Sequence, residues 1–471
     1  MRAMSLETIL QVTGGRALSR PFEKFSGIGT DSRADLKGQL FIALRGESFD
    51  AHDFAEAAAG QGAAGLLVHR LTPAMEPLKG RLTLIEVPDT LKALQALGRA
   101  ARRESRAKVI ALTGSNGKTT TKEFIAAILS PFRDVHYSKG SFNNHWGVPF
   151  TLLQLEPRQE VAVIEMGMNH AGEITELVGI AEPDIVLCTM VGRAHIEHFG
   201  SLEKIAAAKE EIYVAARPDA IRIYNMDDPQ TRAMRERARR DFSKSRVLTF
   251  SGADAGADVH LKIASLTMRE IEIEGHVQGE EGRVRVPVFG AQNLVNLMAA
   301  AAASLAAGLE PEEVWQGLLH CRTAWGRNQF VKLKSGAEMI FDAYNANPDS
   351  MKALIDNMKL VRATGRKIGV FGQMRELGPD SPRYHEEVGR LAGQAGFDSI
   401  FFIGDDAEAF RQGLRASSFG GPAVIGADYT EDMGRRLAAG LGEGDIVVVK
   451  ASRGTKLERF VYPCEPLDFG K

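Results

Sequence analysis

Short apolar runs separated by polar stretches recur through the middle of the chain. From Val109 onward they read VIAL, VAVIEM, DIVLCTM and AIRIYN, and segments with helical spacing lie between them. Continuous apolar runs of this length are typical of parallel strands that helices cover on both faces. The alternation therefore predicts a central α/β domain built on a parallel sheet.

The same alternation appears on both sides of this central region. Residues 36–68 predict a strand, a polar loop, a short helix and a second strand, in a unit that ends near Pro88. After Arg322 the apolar runs MIFDAY, KIGVFG, SIFFIG and DIVVVK return. Residues 258–289 instead alternate over shorter stretches, which indicates antiparallel strands added to the central domain. We predict an α/β fold of three domains, at 1–87, 88–320 and 321–471, with a helix from Asn293 to about Ala307.

The length, charge and cysteine content indicate which classes of protein the chain can belong to. At about 150 residues per domain, 471 residues favour about three packed units. Lys and Arg total 58 against 60 for Asp and Glu, so the net charge of -2 gives no general attraction to nucleic acid or to an anionic membrane. The three cysteines form no CxxC pair, which indicates a reducing compartment. Without a signal-like start or a run long enough to span a bilayer, we expect a cytoplasmic protein with no membrane insertion.

The strongest local signal is the segment VIALTGSNGKTTTKEFIAAIL, in which a strand runs into a glycine-containing turn and then a helix. The backbone N–H groups of such a turn bind phosphate oxygens, while Lys118 reaches the terminal phosphates and Thr119 holds magnesium. The general pattern has glycine five positions before Gly117, where this chain has Leu112, so the turn begins at Gly114. The flanking strand and helix favour a phosphate-binding loop over a chance Gly-Lys-Thr turn.

Two more predicted strands end in polar residues. VAVIEM carries Glu165 near its end, and His195 follows DIVLCTMVG. Because ligands bind at the carboxyl edge of open α/β sheets, either side chain is a candidate to complete the magnesium site at Thr119. Magnesium prefers oxygen, which favours Glu165 over His195. On the residues alone, a capping or ion-pair role for Glu165 and an ordinary hydrogen-bonded role for His195 stay open.

Other polar residues indicate no chemistry on propensity alone. Lys209 lies in the helical segment EKIAAAKEEIY, where the ordinary expectation is a solvated lysine paired with Glu210 or Glu211. The remaining candidates are asparagines typical of turns: Asn143, Asn144, Asn345 and Asn347.

Nearly end to end, the chain resembles the Mur ligase family, which forms amide bonds in peptidoglycan precursor synthesis. The motifs that carry the resemblance are TDSR (30–33), LRGESFDAHDF (44–54), TGSNGKTT (113–120), NNHWGVP (143–149), EMGMNHAGEI (165–174), AHIEHFGS (194–201), GAQNLVN (290–296), GRNQ (326–329), DAYNANPDSM (342–351), FGQMRELG (371–378) and KASRGTK (450–456). The segments EMGMNH and DAYNAN, with no DNPR motif, resemble the branch that adds a dipeptide rather than the branch that adds the third stem residue.

The resemblance implies a fold and a reaction. It implies an N-terminal domain for the UDP end of the substrate, a central P-loop ATPase-like domain, and a C-terminal Rossmann-like domain that closes over the nucleotide. The implied cofactors are ATP and two Mg²⁺ ions. The implied substrates are UDP-N-acetylmuramoyl-tripeptide and D-alanyl-D-alanine, joined through an acyl phosphate by a monomeric enzyme.

The resemblance also implies roles for individual residues. The catalytic set is Lys118, His195, Lys209 and Arg327. Lys209 matches the lysine that the family carbamylates, and this change turns a cation into an anion able to support magnesium. The metal set is Thr119, Glu165, His195 and Lys209. The nucleotide set is Gly114, Ser115, Asn116, Gly117, Lys118, Thr119, Thr120, Asn296, Arg327, Asp342 and Asn345. The substrate set is Ser32, Arg33, Gly46, Asp50, His52, Asp53, Asn143, Asn144, Lys450, Ser452 and Arg453.

Two other functions stay open at this point. One is a different three-domain amide ligase, which adds the third stem residue or adds glutamate to folate. The other is a non-catalytic regulator that uses the phosphate loop as a switch. A regulator gives no reason for the TDSR and FDAHDF segments.

Overall fold

The computed structural model describes residues 3–46, 49–138, 140–194, 196–242 and 245–470, with the backbone alone at 239–241. Within these residues the strands form three large sheets and one two-stranded ribbon. Each large sheet occupies its own stretch of the chain and is mainly parallel. The prediction of three α/β domains is therefore confirmed, while the boundaries after residues 87 and 320 stay predictions.

The first unit holds a five-stranded sheet in the order β2-β7-β6-β5-β4, parallel except where β2 meets β7. Its strands are β1 (Met4–Ser5), β2 (Arg16–Ala17), β3 (Lys24–Phe25), β4 (Ile28–Gly29), β5 (Leu40–Ile42), β6 (Gly65–Val68) and β7 (Thr83–Glu86). Its helices are α1 (Leu6–Thr13), α2 (Ala55–Gly60) and α3 (Thr90–Glu104), with 3-10 turns at Ala51–Phe54 and Pro73–Leu78. Asp89 caps α3 by accepting hydrogen bonds from two backbone N–H groups.

The middle unit holds a nine-stranded sheet in the order β16-β15-β14-β13-β12-β11-β8-β10-β9. Its strands are β8 (Lys108–Thr113), β9 (Val135–Tyr137), β10 (Val161–Glu165), β11 (Ile185–Cys188), β12 (Ile221–Asn225), β13 (Val247–Ser251), β14 (Val259–Leu266), β15 (Ile271–Val277) and β16 (Glu280–Val286). The last three strands pair antiparallel and continue the same sheet, as the alternating pattern predicted.

Helices cover both faces of the middle sheet. They are α4 (Lys118–Leu129), α5 (Gly147–Leu152), α6 (Glu173–Ala181), α7 (Ile196–Phe199), α8 (Leu202–Val214), α9 (Pro229–Asp241), α10 (Asn293–Ala307) and α11 (Pro311–Leu318). The alanine-rich helix α10 is buried over nearly its whole length beside α4, because alanine side chains allow close packing. Helices α6 and α8 pack on the opposite face.

The last unit holds a six-stranded sheet in the order β17-β18-β22-β19-β20-β21, parallel except for β17. Its strands are β17 (Gln329–Lys332), β18 (Glu338–Asp342), β19 (Lys367–Gly372), β20 (Ser399–Ile403), β21 (Ala423–Gly426) and β22 (Ile446–Lys450). Its helices are α12 (Pro348–Leu360), α13 (Ser381–Gly393), α14 (Ala407–Ala416), α15 (Glu431–Ala439) and α16 (Glu458–Val461). Apolar side chains of these helices form cores on both faces of the sheet.

Strand register brings the candidate chemistry to one edge. Strand β8 lies between β10 and β11, all three parallel, and Glu165 is opposite Leu112. The loops that follow these strands therefore meet at one end of the sheet. In the described part of the chain, no helix combines the length and apolar character needed to cross a membrane.

Candidate active site

The turn after β8 has a backbone that only glycine accommodates at two positions. Gly114 and Gly117 have φ values of 151° and 82°. A Cβ atom at Gly114 would lie 1.9 Å from Thr189 Oγ1, and one at Gly117 would lie 2.1 Å from Asn296 Oδ1. Because α4 begins at Lys118, the free N–H groups of its first turn point into the turn. The two glycines and the helix start agree with a phosphate loop, and phosphate binding here stays a prediction.

The Lys118 ammonium lies inside this turn. Its Nζ donates a hydrogen bond to the carbonyl of Gly114 at 2.6 Å. Burial lowers the pKa of Lys118, the Glu165 carboxylate opposes that shift, and the Arg327 guanidinium adds to it. Glu165 and Arg327 are therefore close enough to act electrostatically on the same ammonium.

Glu165, at the end of β10, provides a carboxylate that lines the same cavity as the turn. Its side chain is 1% exposed. Oε1 accepts a hydrogen bond from Asn143 Nδ2 at 2.7 Å, while Oε2 is buried and has no hydrogen-bond partner among the described residues. An unpartnered buried carboxylate oxygen near the buried Thr119 hydroxyl suits a hard cation.

Among the described residues, no group of three or more His, Cys, Asp and Glu side chains is placed to hold a metal ion. His195 lies outside the described residues, so its predicted ligand role stays a prediction. A site with one carboxylate and one hydroxyl fits magnesium that takes its remaining ligands from phosphate and water.

Lys209 is buried, contrary to the ordinary expectation for a helix lysine. It is 1% exposed on α8, and no carboxylate pairs with it in the described part of the chain. Burial lowers the pKa of Lys209 to about 7, and the nearby Lys118 charge contributes to this shift. Glu210 pairs with Arg237, and Glu211 accepts hydrogen bonds from α6. The solvated ion-pair interpretation of Lys209 is therefore wrong.

The opposite wall of the cavity comes from the last unit. The Arg327 guanidinium lies 4.4 Å from the ring centroid of Tyr344. Lys450 Nζ lies 2.5 Å from Asp342 Oδ2 and donates to the carbonyl of Asn345 at 3.2 Å. This wall carries both cations and carboxylates, and Arg327 and Lys450 line a cavity of about 740 Å³ together with the phosphate loop.

The structure brings together most of the predicted nucleotide and metal residues in this one cavity. The predicted residues that line it are Ser115, Asn116, Gly117, Lys118, Thr119, Thr120, Asn143, Asn144, Glu165, Asn296, Arg327, Asp342, Asn345 and Lys450. The side chain of Asn144 accepts hydrogen bonds from the backbone N–H groups of Trp146 and Gly147, as a turn-forming asparagine does. Asn143 does not act only as a turn former, since it bonds to Glu165.

The predicted residues of the first unit do not line this cavity. Arg33 pairs with Asp31 at 2.8 Å. Asp50 lies 2.6 Å from Nδ1 of the buried His52 and 2.9 Å from Arg70. Burial would raise the pKa of Asp50, but hydrogen bonds from Arg70 and His52 hold it below its usual range. The roles of Ser32, Arg33, Gly46, Asp50, His52 and Asp53 stay predictions.

Two predicted residues near the C-terminus also lie off the cavity lining. Ser452 is buried and accepts a hydrogen bond from the backbone of Arg375 at 3.1 Å. Arg453 pairs with Glu458 at 2.7 Å, and its guanidinium lies 5.1 Å from the ring centroid of Trp325. Their predicted substrate contacts stay predictions.

The sequence predicted no ligand-binding role for several residues that line the cavity: Ser141, Asn225, Asp228, Tyr344, Asn347 and Asp349. Asn225 ends β12 and Asp228 follows it, so the rule that parallel strands share a carboxyl edge would have found them. Ser141 and Tyr344 join two units through a 2.5 Å hydrogen bond between their hydroxyl groups. No local signal predicts that contact.

Comparison with known proteins agrees with this arrangement. The family model of the Mur ligase middle domain matches residues 112–304. The models described as the Mur ligase glutamate ligase domain and the Mur ligase family catalytic domain match residues 326–453 and 24–102. Three matches therefore follow one another along the chain.

Relatives match over nearly the whole chain. The UDP-N-acetylmuramoyl-tripeptide–D-alanyl-D-alanine ligase of Bacillus subtilis is 35% identical over 97% of both chains, and that of Escherichia coli is 35% identical over 92% of both. A crystal structure of MurF from Acinetobacter baumannii superposes with a TM-score of 0.87 at 30% identity over 98% of both chains. MurF ligase from Thermotoga maritima in complex with ADP gives 0.78 at 28% identity, covering 93% of this chain and 96% of that one. The chain belongs to the Mur ligase family.

Proposed function

We propose that this enzyme joins D-alanyl-D-alanine to UDP-N-acetylmuramoyl-tripeptide with consumption of ATP. The observation that carries the proposal is a glycine-containing phosphate loop with Lys118, facing Arg327 and Lys450 across one cavity. The names of the full-length relatives in Bacillus subtilis and Escherichia coli support these substrates.

The phosphate loop would bind the triphosphate of ATP. The N–H groups of Gly117 to Thr120 would contact phosphate oxygens, and Lys118 would exchange its hydrogen bond with Gly114 for one with a terminal phosphate. Asn296 is held by hydrogen bonds with Thr121 and Asn293, which fixes its side chain beside the loop.

Magnesium would be held by Thr119 and by the free oxygen of Glu165. Lys209, once carbamylated, and His195 would complete the sites for two ions. Bound magnesium would neutralise part of the phosphate charge. The lowered pKa of Lys209 supports carbamylation, because carbon dioxide adds to a neutral amine.

The reaction would proceed in two steps without an enzyme nucleophile. An oxygen of the tripeptide carboxylate attacks the γ-phosphorus, and the bond to ADP breaks to give an acyl phosphate. The amine nitrogen of D-alanyl-D-alanine then attacks the carbonyl carbon, phosphate leaves, and the nitrogen loses a proton. Lys118 and Arg327 would stabilise the charge on the moving phosphoryl group.

The other predicted residues would hold the two peptide substrates. We infer that the cluster of Asp50, His52 and Arg70 lies where the UDP end binds, because the TDSR and FDAHDF motifs are both in this first unit. Lys450, Ser452 and Arg453 would contact the substrates from the last unit. Consumption of ATP and of a UDP-linked precursor supports a cytoplasmic location, and a monomer stays a prediction.

The test is a three-substrate assay that follows both ADP and the peptide product. We expect amide formation with the UDP-linked tripeptide, ATP and D-alanyl-D-alanine, and little ADP release when any one is omitted. Replacement of the tripeptide and dipeptide by the UDP-linked dipeptide and a diamino acid, or by folate and glutamate, should give no product. ATP hydrolysis that is slow and independent of the acceptor would instead favour a nucleotide-binding regulator.

Glu165 gives a prediction about the metal requirement. We expect Glu165→Gln to raise the magnesium concentration needed for half-maximal rate and to lower kcat at least about tenfold, because an uncharged amide is a weak magnesium ligand. Titration of the rate against magnesium measures both effects. The control is Glu160→Gln. Glu160 comes just before the first residue of β10, at the end of the strand away from the cavity. An unchanged magnesium requirement in Glu165→Gln would contradict the metal role.

A further inference from the structure

An ion pair joins the loop after β11 to the first turn of α12. Arg193 Nη2 and Nε lie 2.7 and 3.1 Å from Asp349 Oδ1, and the backbone N–H of Arg193 donates to Oδ2 at 2.9 Å. The side chains are 36% and 27% exposed. Hydrogen bonds between charged groups in this multiple geometry are stronger than ordinary surface ion pairs.

The arginine is held from a second direction by the last unit. Its guanidinium carbon lies 5.7 Å from the ring centroid of Tyr384 on α13. Arg193, a residue of the middle unit, therefore contacts two helices of the last unit, α12 and α13.

Both ends of the ion pair adjoin the phosphate loop. Just before Arg193, the carbonyl of Gly192 accepts a hydrogen bond from Ser115 Oγ at 2.9 Å. Just before Asp349, the cap residue of α12, Asn347, donates to Asn116 Oδ1 at 2.7 Å. The start of α12 is thus connected to two consecutive residues of the phosphate loop. The connection to Asn116 is direct, through Asn347. The connection to Ser115 runs through Gly192 and the Arg193–Asp349 ion pair.

We propose that Arg193 and Asp349 are positioning residues whose ion pair holds the first turn of α12 against the phosphate loop. The segment that leads into this turn carries Asn345, and it follows the strand that ends at Asp342. Because Lys450 donates to the carbonyl of Asn345, displacement of this turn moves both residues relative to the phosphate loop, and misplacement by about 1 Å costs on the order of 100-fold in rate. This inference rests on the proposed function.

The test is a double-mutant cycle with Arg193→Gln, Asp349→Asn and the combined variant. We expect each single variant to lower kcat/KM for ATP by about 10- to 100-fold, and the combined variant to be no worse than the poorer single one. Asp349 also lines the cavity. If it acted only by touching substrate, Asp349→Asn would be impaired, Arg193→Gln would match the wild type, and the proposal would be overturned.

Two measurements distinguish a positioning role of Arg193 and Asp349 from a loss of folding stability in their variants. The kcat/KM of the wild type should fall more steeply with salt than that of either variant, because salt weakens the ion pair only where it exists. Thermal unfolding midpoints of the variants should stay near that of the wild type. Equal salt dependence in all proteins, or losses that multiply in the combined variant, would overturn the proposal.

A matched control exists in another ion pair between the same two units. Arg269, in the turn after β14, lies 2.5 Å from Glu338 on β18, and neither residue lines the cavity. We expect Arg269→Gln to keep kcat/KM near the wild-type value. A loss as large as that of Arg193→Gln would show that any contact between the units suffices and would overturn the proposal. Absence of ligation by the wild type would instead refute the proposed function.

Discussion

Replacement of Lys118 by methionine is expected to slow turnover by roughly 100-fold or more while the protein still binds the UDP-linked substrate. Methionine keeps most of the lysine stem but removes the ammonium that lies within the phosphate loop. Loss of one group that stabilises developing charge typically costs a factor of about 100 to 1,000 in kcat. Steady-state ADP release and equilibrium binding of the UDP-linked tripeptide measure the two quantities.

The control for Lys118 is Lys108, which lies at the other end of the same strand and donates to the carbonyl of Ala307. We expect Lys108→Met to keep a rate close to that of the wild type. Near-normal turnover in Lys118→Met would refute the assignment of the phosphate loop. A loss of UDP-substrate binding in Lys118→Met would mean that the lysine acts elsewhere than on the nucleotide.

Lys209 gives the second large effect. We expect Lys209→Met to abolish measurable turnover, because methionine fills the same buried space but cannot become an anion. Lys209→Ala should be equally inactive, and small carboxylic acids such as acetate should partly restore its rate by placing a carboxylate in the vacated space. Wild-type turnover in Lys209→Met and Lys209→Ala would contradict a catalytic role for Lys209 and leave it a structural one. Lys204→Ala, an exposed position on the same helix, is the control.

The lowered pKa of Lys209 also predicts how activity depends on pH and carbon dioxide. With the pKa lowered to about 7, the amine is largely neutral above that pH and largely charged below it. Carbamylation requires the neutral amine, so removal of dissolved carbon dioxide should reduce the rate, and added bicarbonate should restore it more fully at pH 8 than at pH 6. A rate that is insensitive to bicarbonate at both pH values would contradict carbamylation.

The sequence predicts the fold well where strands are buried on both faces. The apolar runs VIAL, VAVIEM and DIVLCTM correspond to three neighbouring strands of the middle sheet, β8, β10 and β11. Strands β7, β9, β13 and β21 were not predicted. Strands β9 and β21 are edge strands with no fully buried residue, so their sequences lack the continuous apolar run on which the prediction depends. Strands β7 and β13 are interior, but polar residues flank or interrupt their short apolar runs, TLIE and VLTFS.

The site is predictable as far as it follows from local motifs and the sheet edge. Those two rules predict that Lys118 and Glu165 lie together, and both side chains line the one cavity. The burial of Lys209 could not be predicted, because charged residues directly beside it on α8 give its segment the look of a solvated helix. Contacts between units, such as Asn347 with Asn116, join residues 231 positions apart and leave no mark on the local pattern.

The central claim is that the γ-phosphoryl group of ATP passes to the free carboxylate of the UDP-linked tripeptide at the phosphate loop. The most direct measurement uses a tripeptide whose terminal carboxylate carries ¹⁸O in both oxygens. If the carboxylate attacks phosphorus, one labelled oxygen leaves in the inorganic phosphate and the other stays in the new amide. Inorganic phosphate that carries no ¹⁸O while the amide forms would contradict the account.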